Sequence, residues 1–189
     1  MKRNILIILL STVTLGMSAQ IDRVQLYEGL YQGMTKEEVK EEWKNNKEKY
    51  TSIDFGNGVE WRMYRQNMSY IDGNLTRLRV NPKGALMGLN YNNTKVYLNN
   101  TATVLKRMGY NVLMENPKWN LPEMFTNGNY MYGLLLINEE KTRVIHLYPL
   151  KISRNTYLPD MMIFSYQLAR YEFELDEQQE ETVIENLGF

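Results

Sequence analysis

The sequence predicts an α+β domain in which an antiparallel β-meander carries helices on one face, laid out as one unit or as two related helix–meander halves. Three observations predict it. A capped amphipathic helix opens at Thr35, short strand patterns separated by glycine turns follow it, and a helix-end segment recurs at the C-terminus. A chain of 189 residues with 43% hydrophobic side chains can build a core, which excludes a wholly disordered chain.

The first segment reads as an address. Lys2 and Arg3 precede an apolar run from Ile5 to Met17, which leads to Ser18-Ala19-Gln20. That is the pattern of a secretory signal cut after Ala19. The run is about 13 residues, short of the ~20 that span a bilayer, so no membrane insertion is expected after cleavage. Residues 20–189 then form a single α+β domain, with 20–91 and 92–189 as its candidate halves, in a periplasm or outside the cell. The chain has no cysteine, which excludes a lipoprotein anchor, a disulfide framework and a thiolate site. In an oxidising compartment the core alone must therefore hold the fold.

Tyr27, Leu30 and Tyr31 repeat at helical spacing and predict a short helix ending near Gly33. Thr35-Lys36-Glu37-Glu38 fits a capping box, and Met34 with Val39 fits the hydrophobic staple around it. Val39 and Trp43, four apart, share the face this helix must bury. Glu37, Glu38, Glu41 and Glu42 carry the residue type of a metal or acid–base cluster, but interspersed lysines make a solvated face the simpler reading. Gly56-Asn57-Gly58 separates strands Thr51–Phe55 and Val59–Tyr64, and Asp72-Gly73 separates Met68–Ile71 from Leu75–Val80. Asn81-Pro82-Lys83-Gly84 predicts a third turn, into a strand Ala85–Tyr91. Alternation puts Val59, Trp61, Met63, Leu78 and Val80 on the core face, and Glu60, Arg62, Tyr64, Arg77 and Arg79 on the other.

A second helix is expected over Leu98–Met108, stopped by Gly109, and then a strand Asn111–Glu115. The stretch Asn116–Asn129 is irregular, with Pro117, Pro122, Trp119 and Phe125. Strands Tyr130–Ile137, Thr142–Tyr148 and Met161–Phe173 follow, and a last helix runs from Asp176, with Gln179 completing a capping pattern, to Gly188. Thr103–Tyr110 echoes Thr182–Phe189, in agreement with either a duplicated unit or two glycine-capped helix ends.

The chemistry the chain supports is limited. Twenty-two basic and 22 acidic side chains give no net field to recruit nucleic acid. The single histidine, His146, sits in a strand pattern without a nucleophile motif, and no His/Cys metal pattern exists. Asp54–Glu60 has oxygen ligands at alternating spacing, better explained by the hairpin turn. Neither a metal nor a cofactor is expected. Asp160, Glu172 and Glu174 keep a carboxylate hydrolase as one alternative, and the 14 tyrosines keep a glycan-binding accessory protein as another. Arginine, tyrosine and tryptophan dominate interface energetics, so the candidate recognition residues are Arg62, Tyr64, Arg77 and Arg79, with Trp119 and Phe125 in the irregular loop.

Leu30-Tyr31-Gln32-Gly33-Met34-Thr35-Lys36-Glu37-Glu38-Val39 resembles the helix entry of small envelope domains of the BamE (SmpA/OmlA) kind and their relatives with the β-lactamase-inhibitor-protein fold. The likeness covers Tyr27–Trp43 directly and the helix–meander order to Tyr91 more loosely. The lipoprotein cysteine of that family is missing, and Asn45–Lys49 stand where its Gly-x-Pro follows the helix. The resemblance implies a non-enzymatic envelope domain that presents a sheet or loops to another protein. It transfers no functional residue, because the matching positions are structural. The expected partner is thus another envelope or extracellular protein, with a glycan as the alternative.

Overall fold

The computed structural model of the chain describes residues 23–56, 58–83, 89–117 and 133–175. The expected leader, Trp119, Phe125, the start of the expected strand after Gly84 and the expected helix from Asp176 lie outside the described residues, as does the Thr182–Phe189 half of the sequence echo. None of the helices among the described residues is long and apolar enough to cross a membrane.

The described chain begins with strands β1 (Gln25–Tyr27) and β2 (Leu30–Tyr31), an antiparallel pair where the tyrosine spacing had predicted a helix. The physical reason is Gly29, whose φ of +73° turns the chain tightly between them. A side chain there would also meet Glu42 and come within 2.9 Å of the Tyr50 hydroxyl. Helix α1 (Lys36–Thr51) then starts as expected: Thr35 Oγ1 accepts from the Glu38 amide at 3.2 Å, and Glu38 Oε2 accepts from the Thr35 amide at 2.6 Å. The Thr35 amide, and after it Arg23 at 3.0 Å, hold the Glu38 carboxyl below its ordinary range. Met34 and Val39 are both buried. Asn46 departs from helical geometry and kinks α1, and beyond it the buried Tyr50 stacks on Trp43 at 4.9 Å.

The hairpins follow the glycine signals. Strand β3 (Ile53–Asp54) pairs with β4 (Glu60–Met63), and β5 (Ser69–Ile71) turns at Asp72-Gly73, both at positive φ, into β6 (Asn74–Pro82). β4 and β5 lie end to end along the same side of β6, joined by a single 3-10 turn over 65–67. Asn81 and Pro82 do not form the third turn expected of them. They are the last residues of β6, opposite Arg62 and Trp61, a position where the missing proline amide interrupts little of the ladder. Tyr91, expected at the end of a strand, instead opens helix α2 (Tyr91–Arg107), seven residues before its expected start, because the Asn90 side chain accepts from the Asn93 amide at 2.9 Å.

Gly109 ends α2 at φ +89°, with its own amide on the Lys106 carbonyl and the Tyr110 amide on the Leu105 carbonyl, both at 3.1 Å. This is the Schellman closure. Strands β7 (Asn111–Glu115), β8 (Leu134–Ile137), β9 (Arg143–Ser153) and β10 (Thr156–Ser165) form a second meander. The pattern read as one strand through Phe173 breaks at Ser165, whose hydroxyl accepts from the Leu168 amide and starts helix α3 (Tyr166–Phe173).

The sheet order is β3-β4-β6-β10-β9-β8-β7, with β5 also on β6, and every pairing is antiparallel. A helix precedes each meander, and the last strands of the two, β6 and β10, pair at the centre. α1 and α2 share one sheet face, where Val39, Leu98 and Leu105 meet Trp61, Leu78, Met161 and Ile163. α3, hidden from sequence reading, covers part of the opposite face, with Ala169 and Phe173 against Leu135, Val144 and Phe164. The protein is thus α+β with an antiparallel sheet and helices, unequally, on both of its faces.

Candidate functional site

The face of the sheet away from α1 and α2 gathers polar groups that strand alternation aligns. β4 contributes Glu60 and Arg62, with Tyr64 just past its end; β6 contributes Arg77, Arg79 and Asn81; β10 contributes Asp160; and β9 contributes His146 and Tyr148. The four sheet-face residues expected from sequence thus do lie together. The structure separates them by what each one holds.

Asp160 is fully buried. Its Oδ2 accepts from Arg79 Nε at 2.8 Å, from Arg79 Nη2 and from the Tyr148 hydroxyl at 3.1 Å; its Oδ1 accepts from Asn81 Nδ2 and the Met161 amide, both at 2.9 Å. Burial pushes the Asp160 carboxyl upward, and the Arg79 guanidinium, the Tyr148 hydroxyl and the Met161 amide pull it back. A carboxylate surrounded in this way anchors β10 to β6, and it has no lone pair left over for acid–base work. Arg77 is paired with Glu172 of α3, and both are mostly covered. Arg77 and Arg79 are therefore engaged within the protein and available to a partner only at their edges.

Arg62 differs. Its guanidinium carbon lies 4.7 Å from the centre of the Tyr64 ring, and among the described residues no carboxylate is within ion-pairing distance; its buried Nε has no hydrogen-bond partner, a feature it shares with Arg77. Glu60, two residues earlier on the same face, is committed to Lys83 at 2.6 Å and Ser52 at 3.1 Å. A half-buried guanidinium backed by an aromatic ring, with no carboxylate paired to it among the described residues, has the chemistry to receive one.

His146 is buried, and burial pushes its pKa down to about 3, so the ring is neutral at ordinary pH. It stacks on Tyr148 at 4.7 Å and meets the Phe173 edge at 5.4 Å. Of the three acids that could serve a hydrolase, Asp160 and Glu172 are held by arginines, and Glu174 is the exposed left-handed cap of α3. Asp54 spends Oδ1 on the Gly56 amide at 2.6 Å, as the hairpin turn requires. Among the described residues no group of three or more His, Asp or Glu side chains converges as a metal site. A glycan platform needs neighbouring exposed rings, and the one aromatic among the described exposed hydrophobic residues is Tyr171, 84% exposed on α3.

Sequence reading missed Asp160 and Glu172 as the partners of Arg79 and Arg77. A signal existed for the first: one acid within the apolar run Leu158–Phe164 has to find a cation. Fold and site together define an antiparallel α+β domain with a polar, arginine-bearing sheet face. No family model matches the chain, and neither a curated protein nor a solved structure matches it.

Proposed function

We propose that the protein is an exported, non-enzymatic binding domain of the bacterial envelope or exterior, and that it engages an acidic site on another protein through Arg62 and Tyr64. The observation that carries this reading is the contrast among three arginines on one face: two hold internal carboxylates, and Arg62, among the described residues, holds the Tyr64 ring and no carboxylate. A guanidinium partly removed from water without a counter-charge costs stability, and a partner's carboxylate would offset that cost by a bidentate, charge-assisted bond. Export rests on the leader pattern from Lys2 to Ala19. The likeness of the Leu30–Val39 segment to BamE-type envelope domains supports the same setting. The internal engagement of Asp160 and Glu172 argues against the hydrolase alternative.

The test is affinity capture from envelope extract with the wild-type protein and with Arg62→Glu, in parallel at low and high salt. Wild type is expected to retain a protein that Arg62→Glu does not, with retention falling as salt rises. Equal retention by both proteins would overturn the proposal.

A further inference from the structure

On the opposite face of the sheet from Arg62, a cavity of about 230 Å³ lies between β1, the C-terminal end of α2 and strands β9 and β10. Leu26, Phe55, Leu105, Ile145 and Ile163 give it apolar walls, and Met108, 57% exposed, lies at its rim. One cation lines it. Arg143 Nη1 reaches the carbonyls of Gln25 at 3.5 Å and Leu26 at 3.4 Å, and its guanidinium carbon lies 5.5 Å from the centre of the Tyr110 ring. Its Nε is buried with no hydrogen-bond partner, and among the described residues no carboxylate is within ion-pairing distance. Glu28 also lines the cavity but is exposed and is not paired with the arginine.

We propose that this cavity is a binding site for a small carboxylate with an apolar body, a single aromatic ring or a short alkyl chain. The apolar walls take the body, and the guanidinium, whose Nη1 is held by the Gln25 and Leu26 carbonyls and whose charge meets no carboxylate within ion-pairing distance among the described residues, takes the carboxylate. Size sets the class. The volume exceeds the ~150 Å³ that accommodates benzene and falls below the ~300 Å³ at which drug-sized sites begin. The site is separate from the protein-binding face and stands or falls without it.

The test is a titration of the purified protein with benzoate and hexanoate, and with their neutral counterparts benzyl alcohol and 1-hexanol, following the Ile145 and Ile163 methyl resonances by NMR. The acids are expected to bind saturably, at least ten-fold more tightly than the alcohols. Arg143→Met, which keeps the stem and removes the fork, is expected to bring acid and alcohol within two-fold of each other. Met108→Trp, at an exposed position, is expected to weaken acid and alcohol alike while preserving their ratio, and it decides the matter if Arg143→Met does not fold. No saturable shift, equal binding of acid and alcohol to wild type, an unchanged preference in Arg143→Met, or unchanged affinities in Met108→Trp would overturn the proposal.

Discussion

Asp160 and Arg62 lie on one face of one sheet and carry opposite kinds of information. Replacing Asp160 by alanine strands Arg79, Asn81 and Tyr148 around an empty site. The expected cost is about 3 kcal/mol, at the low end for broken buried ion pairs because Arg79 keeps some solvent. Urea denaturation measures it. Arg62→Gln removes no ion pair among the described residues, so its stability is expected to stay within about 0.5 kcal/mol of wild type by the same method. His146 supplies a pH signature. Its folded pKa of about 3 lies below its ordinary 6.5, so its contribution is complete above pH 6.5 and is lost as pH falls toward 3. Near pH 4.5 the protonated unfolded chain is favoured by roughly 2 to 3 kcal/mol. His146→Gln is expected to flatten that part of the acid limb, so that the wild type loses this much more than the variant between pH 7 and pH 4.5. At this scale strand alternation was legible: Trp61, Met63, Leu78 and Val80 are buried as read, and Val59, at the strand's edge, is half-buried. Pairing was not, because Arg79 and Asp160 are 81 residues apart and nothing local states that they meet.

Elements announced themselves where local chemistry is unambiguous. The capping box at Thr35, the Asp72-Gly73 turn and the Gly109 stop are each specified by a few adjacent residues, and each forms. Thr35→Ala is expected to cost about 1 kcal/mol, and Gly109→Ala a similar amount, because φ +89° strains any side chain and the new methyl would lie 3.1 Å from Glu139 Oε1. Thermal melts of the two variants check both values. What stayed illegible is short or mixed. β1 and β2 have three and two residues, too few to show a period of two against a period near four. α3 has eight residues and follows an apolar strand directly, so its pattern merges with that strand until Ser165 is recognised as a cap.

For the whole molecule, the central β6–β10 pairing makes the two helix–meander units interdependent, and Trp61 of the first lies 5.6 Å from Tyr97 of α2 in the second. One cooperative unfolding transition is therefore expected, with tryptophan fluorescence and far-UV circular dichroism coinciding; separate midpoints would mean independent halves. The residues that form the candidate face were legible as a set, since alternation alone aligns Arg62, Tyr64, Arg77 and Arg79. Which of them holds an internal carboxylate was not, since that depends on Glu172 and Asp160 arriving from the far end of the chain. The central claim is that Arg62 recognises an acidic group on a protein partner. The most direct measurement is the dissociation constant of the captured partner for wild type and for Arg62→Gln, two proteins expected to be equally stable. At least ten-fold weaker binding by Arg62→Gln is expected, and affinities within two-fold of each other would contradict the claim.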